Sequence, residues 1–385
     1  MSERKPGRWA ELNNEPEASS LKYGMDYRLP RFRREVFHRF YEYHLKYKAH
    51  AGCVYYIMPY LSKEWSLEQK YWFAYLNGCT QNPCTSYVLF NQFPEFQQAG
   101  TSRWSRWITA NYQRLEFDTD RRYHKKDIIE CGTRYLESIG GKTQQKHFKE
   151  EGVGGDPHKG FRLLWDSVQK NFYTFGRLST FSYLEYLRIM GLHVDCDQLF
   201  LDDLSGSKSH RNGLCKVLGR DELDWHKSNS AFKGYTGRLI AWLKEEGNTL
   251  LKEARQRAKG TPWENDVSYF TLETALCTYK SWYRKNRRYP NVYNDMFYYR
   301  IRKNEKAWPE IDFAPFWDAR KATLPEHLRL EDTPWDLGLT PSKQNWFRRP
   351  GETIMMHKDW ACFKNGYNDY FRCRDNRKGS RPSQP

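Results

Sequence analysis

Apolar residues recur along most of this chain at intervals of three and four, the spacing of helices that bury one face. Between Arg31 and Ala51 the apolar positions Phe32, Val36, Phe37, Phe40, Tyr41 and Leu45 predict a packed helix with a basic outer face, leaving His38 and His44 at its surface or at an interface. Ser66-Leu67-Glu68-Gln69 has the form of a capping box; the helix after it carries Tyr71, Trp72, Phe73, Tyr75 and Leu76 and is expected to stop at Asn77-Gly78. Asn82-Pro83 opens the next helix, which closes before Phe93-Pro94, so the two form a helical hairpin. Further helical patterns run from Thr101 to Phe117, from Lys125 to Ile139, from Phe161 through Val168 and from Phe172 to Met190. In the last of these, Ser182-Tyr183-Leu184-Glu185 suggests a second capping box, with Arg177 just ahead of it. After residue 220, helices are predicted over Phe232 to Lys259 and Thr271 to Arg284. Strand-like alternation is confined to short fragments, so the fold class is mostly α.

The chain is expected to divide into a polar tail (1–21), a helical domain (22–307), an irregular, aromatic-rich wrap with many prolines (308–372) and a basic tail (373–385). The Gly-rich connector between Gly140 and Gly160 contains Gly152-Val153-Gly154-Gly155. That stretch resembles the hairpin of the helix-hairpin-helix element of DNA glycosylases, whose turn amides hold a phosphate, and it reads about as well as a flexible linker.

Charge changes the picture. With 63 Lys and Arg against 47 Asp and Glu, the formal net charge of +16 points to a polyanionic partner, nucleic acid first. Aromatic residues make up 17% of the chain, and Trp104-Arg106-Trp107 and Trp282-Tyr283-Arg284 interleave them with arginine as base stacking requires, although most aromatics are expected to be core and rim residues. The nine cysteines show no C-x-x-C pair and no zinc spacing, which predicts free thiols in a reducing compartment. The polar Met1 end and the lack of an apolar run of membrane-spanning length predict a soluble, intracellular protein.

Two stretches concentrate reactive side chains. The first, Leu201 to Cys215, reads as a loop and gathers Asp202, Asp203, Ser205, Ser207, Lys208, His210, Arg211 and Asn212 between apolar anchors. Gly206 and Gly213 permit positive φ, so its Ser-Gly-Ser-Lys-Ser run suits an anion without being a Walker A loop. A plain surface turn is the competing reading. In the second, Glu273, Cys277, Lys280 and Arg284 share one stripe of the predicted Thr271 to Arg284 helix, opposite Leu272, Leu276 and Tyr279. Arg287, Arg288, Tyr289, Arg300 and Arg302 follow, able to grip DNA or pyrophosphate oxygens.

These segments, with Leu272 to Lys280, Arg288-Tyr289-Pro290, Tyr293-Asn294-Asp295, the Asp202 to Cys215 stretch and Gly78-x-x-x-Asn82 with Phe93-Pro94, resemble the bacteriophage amino acid:DNA transferases, also called α-glutamyl/putrescinyl thymine pyrophosphorylases, over about residues 40 to 310. The resemblance implies a helical, DNA glycosylase-like core acting in the cytoplasm of an infected bacterium. It also implies a reaction in which an amine replaces the pyrophosphate of 5-pyrophosphoryloxymethyluracil in double-stranded phage DNA, with glycine or another small amino acid as the expected donor.

That chemistry needs a base for the incoming ammonium, for which His210, Asp203 and Glu273 are candidates in that order, with Lys280 beside them as a catalytic cation. It needs a cationic, hydroxyl-lined grip on the leaving group, from Arg177, Ser205, Ser207, Lys208, Arg211 and Arg288. Asn212 is a candidate reader of the flipped base, and Arg284, Arg287, Tyr289 and Arg300 of the DNA around it. The sequence singles out no cofactor with certainty, and Mg²⁺ on Asp202, Asp203 and Asp295 would suit pyrophosphate. A base-excising glycosylase-like hydrolase and a non-enzymatic DNA-binding protein are the rival readings.

Overall fold

A computed structural model describes residues 30–203, 208–220, 237–279 and 291–332, without the side chains of 30–32, 208 and 327. All regular elements among them are helices. They form two compact units, one from the described residues of Met1–His50, Gln198–Asp295 and Pro325–Pro385, the other from Ala51–Asp197 and Met296–Leu324.

The second unit is built around a helix that is buried on nearly every side. Helices α2 (Val54–Leu61), α3 (Leu67–Thr80), α4 (Pro83–Gln92), α5 (Ser102–Asn111), α6 (Ile128–Ile139), α7 (Gln144–Glu150), α8 (Pro157–Asn171), α9 (Arg177–Ile189) and α14 (Ala314–Thr323) belong to it; α1 (Pro30–Lys46), α10 (Lys208–Val217), α11 (Gly237–Ala258) and α12 (Tyr269–Tyr279) belong to the first unit, and α13 spans Val292–Ala307. The capping box forms as expected: Gln69 N donates to Ser66 Oγ at 3.2 Å and Ser66 N to Gln69 Oε1 at 3.1 Å. From Tyr71 onward α3 is buried through Thr80, packing on α9 and α4. Tyr75 stacks on Tyr135 with ring centroids 3.8 Å apart, and Trp72 Nε1 donates to Phe93 O at 2.7 Å.

The helix does not stop at Gly78. It runs to Thr80 and closes on Gln81 in the left-handed region (φ 55°), because Gly78 lets α9 approach; a Cβ there would stand 3.2 Å from Tyr183 Cβ. Asn82 caps α4, accepting from Cys84 N and Thr85 N, and Gly140 closes α6 at φ 67°. Ser182-Tyr183-Leu184-Glu185 lies in the middle of α9 and is no capping box; the helix starts at Arg177, and Glu185 turns inward to accept from Tyr55 OH at 2.8 Å.

The connector after Gly140 holds a helix of its own, α7, and a turn with Gly152 at φ 92° and Gly154 at φ 131° leads into α8. The first amides of α8 are taken by Asp156, whose carboxylate accepts from His158 N and Lys159 N, where the hairpin reading would put a phosphate. Trp104 and Trp107 are structural rather than base-stacking: Trp104 is buried, with Nε1 donating to Ile129 O, and Trp107 stacks on Trp308 at 5.5 Å. The stretch from Trp308 that reads as irregular is helical over Ala314–Thr323, since Pro315 lies in the first turn, where its missing N–H costs nothing, and Phe316 packs edge-on to Tyr87 at 5.1 Å. Residues beyond Asp332 lie outside the described residues.

In the first unit, α10 packs on α12, both pack on α1, and α11 touches α1 and α10. Arg34 grips Glu253 with two bonds (2.9 and 3.0 Å) and reaches Glu246 at 2.8 Å, tying α1 to α11. Tyr41 OH meets Thr271 Oγ1 at 2.6 Å, tying α1 to α12, and Arg33 Nη1 donates to Lys216 O at the end of α10. His38 and His44 are buried, not at the surface, because helices cover α1 on more than one side; His38 Nε2 lies 2.6 Å from Glu253 Oε2 and His44 packs 4.2 Å from the Phe40 ring. The seven described cysteines are free thiols. No helix among the described residues is long and apolar enough to cross a membrane.

Candidate active site

The Leu201 to Cys215 stretch is a loop only in its first half. From Lys208 onward it is helix α10, and this helix brings the two reactive stretches together. Gly213 is the reason. It has no positive φ to supply; instead, a Cβ on it would stand 2.0 Å from the carbonyl oxygen of Leu276 and 2.6 Å from its carbon, so only glycine lets α10 lie directly on the backbone of α12. One turn earlier on each helix, His210 faces Glu273, with Nδ1 to Oε1 at 2.9 Å. His210–Gly213 against Glu273–Leu276 is thus one contact repeated at a spacing of three.

The other ring nitrogen of His210 fixes the protonation of the pair. Nε2 lies 2.7 Å from the carbonyl oxygen of Leu199. A carbonyl only accepts, so Nε2 carries a proton and donates it. Nδ1 then faces a carboxylate at bonding distance, which requires one further proton between them, either as imidazolium with carboxylate or as imidazole with carboxylic acid. The pair holds that proton in an interior where His210 is fully buried and the Glu273 side chain is 10% exposed. Neither ring nitrogen of His210 is then free to take a further proton, and Glu273 is the less buried member of the pair. The α12 helix is buried nearly all round, from Phe270 to Leu276 and again at Thr278 and Tyr279, rather than amphipathic, so Glu273 is an interior carboxylate and not part of a solvated stripe.

Arg211, also fully buried, donates from Nη1 to Leu201 O at 3.2 Å and Asp203 O at 2.8 Å. These bonds hold the chain leading into the Ser205 to Lys208 segment, and they use part of the guanidinium to position the loop. Asn212 is buried beside it, and Asp203 is half-buried. Asp202 pairs with Lys244 at 3.0 Å, and Asp295 accepts from Asn291 Nδ2 at 3.0 Å. Asp202 and Asp295 are thus committed to other partners, and the described residues contain no group of three or more His, Cys, Asp or Glu placed to hold a metal. Arg177 begins α9 and Arg300 pairs with Asp118 at 2.7 Å with 14% of its side chain exposed; both belong to the other unit. Ser205, Ser207, Lys280, Arg284, Arg287, Arg288 and Tyr289 lie outside the described residues, as does the side chain of Lys208.

Sequence reasoning missed the Leu199 carbonyl, which no side-chain pattern announces, and misassigned Gly213, whose spacing of three from His210 was the available signal.

Helices α2 to α12, with the His210–Glu273 crossing, fall within a region, residues 53–289, that matches the family model for amino acid:DNA transferases, and the chain belongs to that family. It is also 31% identical over 294 residues to a serinyltransferase of Salmonella phage ViI, an alignment covering 73% of this chain and 69% of that protein. No solved structure matches the chain, so the glycosylase-like arrangement implied by the resemblance finds no counterpart there.

Proposed function

We propose that this protein replaces the pyrophosphate of 5-pyrophosphoryloxymethyluracil in double-stranded DNA with a small amino acid. The amino nitrogen attacks the exocyclic methylene, the C–N bond forms as the C–O bond breaks, and pyrophosphate leaves. The observation that carries this reading is the buried His210–Glu273 pair at the Gly213 crossing. An amino acid arrives as an ammonium and attacks only after losing a proton. Glu273 is the base that takes it, and His210, locked by Leu199, is the positioning residue that aims the carboxylate. Taking the proton leaves the pair with a positive charge just as the leaving group gains negative charge, so the two developments offset each other.

The pyrophosphate belongs at the start of α10, whose first-turn amides favour an anion, with Ser205, Ser207, Lys208, Lys280 and Arg288 as its proposed ligands. Asn212 reads the edge of the extruded base, and Asp203 is the reserve base. Arg284, Arg287 and Tyr289 hold the surrounding DNA. The family resemblance gives glycine as the expected donor, while the name of the phage relative adds serine.

The test is to incubate the protein with DNA carrying the pyrophosphorylated base, glycine, serine and putrescine, then to digest the DNA and weigh the nucleosides. The reading predicts a nucleoside bearing an amino acid on the former methyl carbon, with pyrophosphate released. Free base and abasic DNA would mean glycosylase chemistry, and unaltered but tightly bound DNA would mean a binding protein.

A further inference from the structure

Between α5 and α6 the short helix Thr119–Asp127 reads Thr-Asp-Arg-Arg-Tyr-His-Lys-Lys-Asp. It is held from beneath by Arg121, whose fully buried guanidinium donates to Cys79 O (2.9 Å), Thr174 O (2.7 Å) and Thr174 Oγ1 (3.1 Å). A charge buried to this degree is tolerated only with such a set of acceptors, and the bonds to two separate segments fix the backbone of the short helix. On that fixed backbone Tyr123 stands 77% exposed, against at most 42% for any other exposed large hydrophobic side chain among the described residues.

Cations neighbour Tyr123 in the sequence. Arg122 and Lys126 are exposed, and Lys125 lies over the Tyr112 ring at 4.5 Å. The acidic groups nearby are engaged elsewhere: Asp118 by Arg300, Glu116 by Lys303, Asp127 by His124, and Asp120 by Ser179 and Thr119. Arg122, Lys125 and Lys126 make no ion pair within 4 Å among the described residues: Arg122 Nε donates to Thr119 O at 2.9 Å, and Asp118 and Glu116 act on Arg122 and Lys125 only from longer range.

We propose that Thr119–Asp127 is a DNA-binding element in which Tyr123 stacks on a base at an opened step while Arg122, Lys125 and Lys126 engage the flanking phosphates. An exposed aromatic ring on a fixed backbone, with cations outside any ion pair beside it in the sequence, has the chemistry of a stacking platform on a polyanion, and the excess positive charge of the chain favours the same partner. The inference rests on the DNA-directed reading above and adds a DNA-binding surface outside the reacting site.

The test is fluorescence anisotropy on the full chain with a duplex carrying one T·T mismatch, whose thymine leaves the stack at low cost. No amino acid is present, so the readout does not depend on transfer. Tyr123→Ala is expected to raise Kd on the order of tenfold while Tyr123→Phe binds like the wild type, since the ring does the stacking. Arg122→Ala with Lys126→Ala is expected to make the slope of log Kd against log salt shallower by roughly two, about one for each phosphate no longer neutralised. Because these side chains are exposed, melting should be unchanged. Wild-type Kd and salt slope in all variants would overturn the proposal, as would an effect on an RNA hairpin with none on the duplex. A wild-type protein that binds this duplex through Tyr123 but transfers nothing sinks the reaction and leaves the stacking role standing; one that transfers while the variants bind normally does the reverse.

Discussion

Replacing Gly213 by alanine tests the crossing on which the candidate site depends. A Cβ at 2.0 Å from Leu276 O and 2.6 Å from its carbonyl carbon meets backbone, which cannot rotate away, so α10 would have to lift from α12 by about 1.2 Å to reach an ordinary close approach of roughly 3.2 Å. The His210–Glu273 bond, 2.9 Å in the native protein, would then stretch to about 4 Å and break. Overpacking typically costs about 1–3 kcal/mol, and a clash with backbone belongs at the upper end of that range or above it. The gain in helix propensity from glycine to alanine returns only about 1 kcal/mol. The net loss is about 2 kcal/mol, which lowers Tm by roughly 4–8 °C in a unit of this size. Gly247→Ala in α11 is the matched control, because its Cβ would meet only the end of the Leu199 side chain, at 2.8 Å, which can turn aside. Circular-dichroism melts and urea titrations of both variants give the answer. Equal or greater stability of Gly213→Ala, or retained transfer in it, would refute the argument that glycine is there for the close approach.

Two further outcomes follow from the buried polar groups. Arg121→Lys keeps the charge but cannot reach Cys79 O, Thr174 O and Thr174 Oγ1 together, and with each abandoned buried acceptor costing about 1–3 kcal/mol the urea midpoint should fall by the equivalent of at least ~2 kcal/mol; an unchanged midpoint would contradict the anchoring role. Burial, with His44 and Lys48 nearby, holds His50 well below the ordinary histidine value, and burial lowers His38 too, outweighing the pull of Glu253. The unfolded chain therefore takes up these protons first. Stability from the two histidines is complete above about pH 6.5 and is lost as pH falls from there toward their folded values. Urea titration should show a lower midpoint at pH 5.5 than at pH 7, with part of the difference removed in His50→Gln; a midpoint that rises on acidification would contradict neutral buried imidazoles.

Where short-range chemistry decides, the sequence was readable. Ser66 and Gln69 make their cap, Asn82-Pro83 starts its helix and Gly140 ends one, because each signal acts within a single turn. Glycines misled where their reason lay in another helix. Gly78 reads as a stop and Gly213 as a loop residue, yet both are points of close approach whose partners, Tyr183 and Leu276, lie far along the chain. The same limit applies to charge and aromaticity. Trp104 beside Arg106 looks like a stacking motif until its indole is found bonded to Ile129 O inside the core. Conversely, Tyr123 among Arg122, His124 and Lys125 looks like any polar turn until its exposure is known. For the candidate site, residue types pointed to His210 and Glu273. The proposed order of the two as bases rests on a backbone carbonyl, Leu199 O, which has no mark in the sequence.

The central claim is that Glu273, aimed by His210, takes the proton that makes the amino acid a nucleophile. The most direct measurement is the single-turnover rate of amino acid incorporation into pyrophosphorylated DNA by Glu273→Gln, beside the wild type and with Kd for the same DNA measured in parallel. Glutamine fills the same space and still accepts a hydrogen bond from His210 but takes no proton. The account predicts a rate lower by about 10²–10⁴ with DNA affinity unchanged, and a partial recovery as pH rises and the amine deprotonates unaided. A Glu273→Gln protein that transfers at the wild-type rate would contradict it.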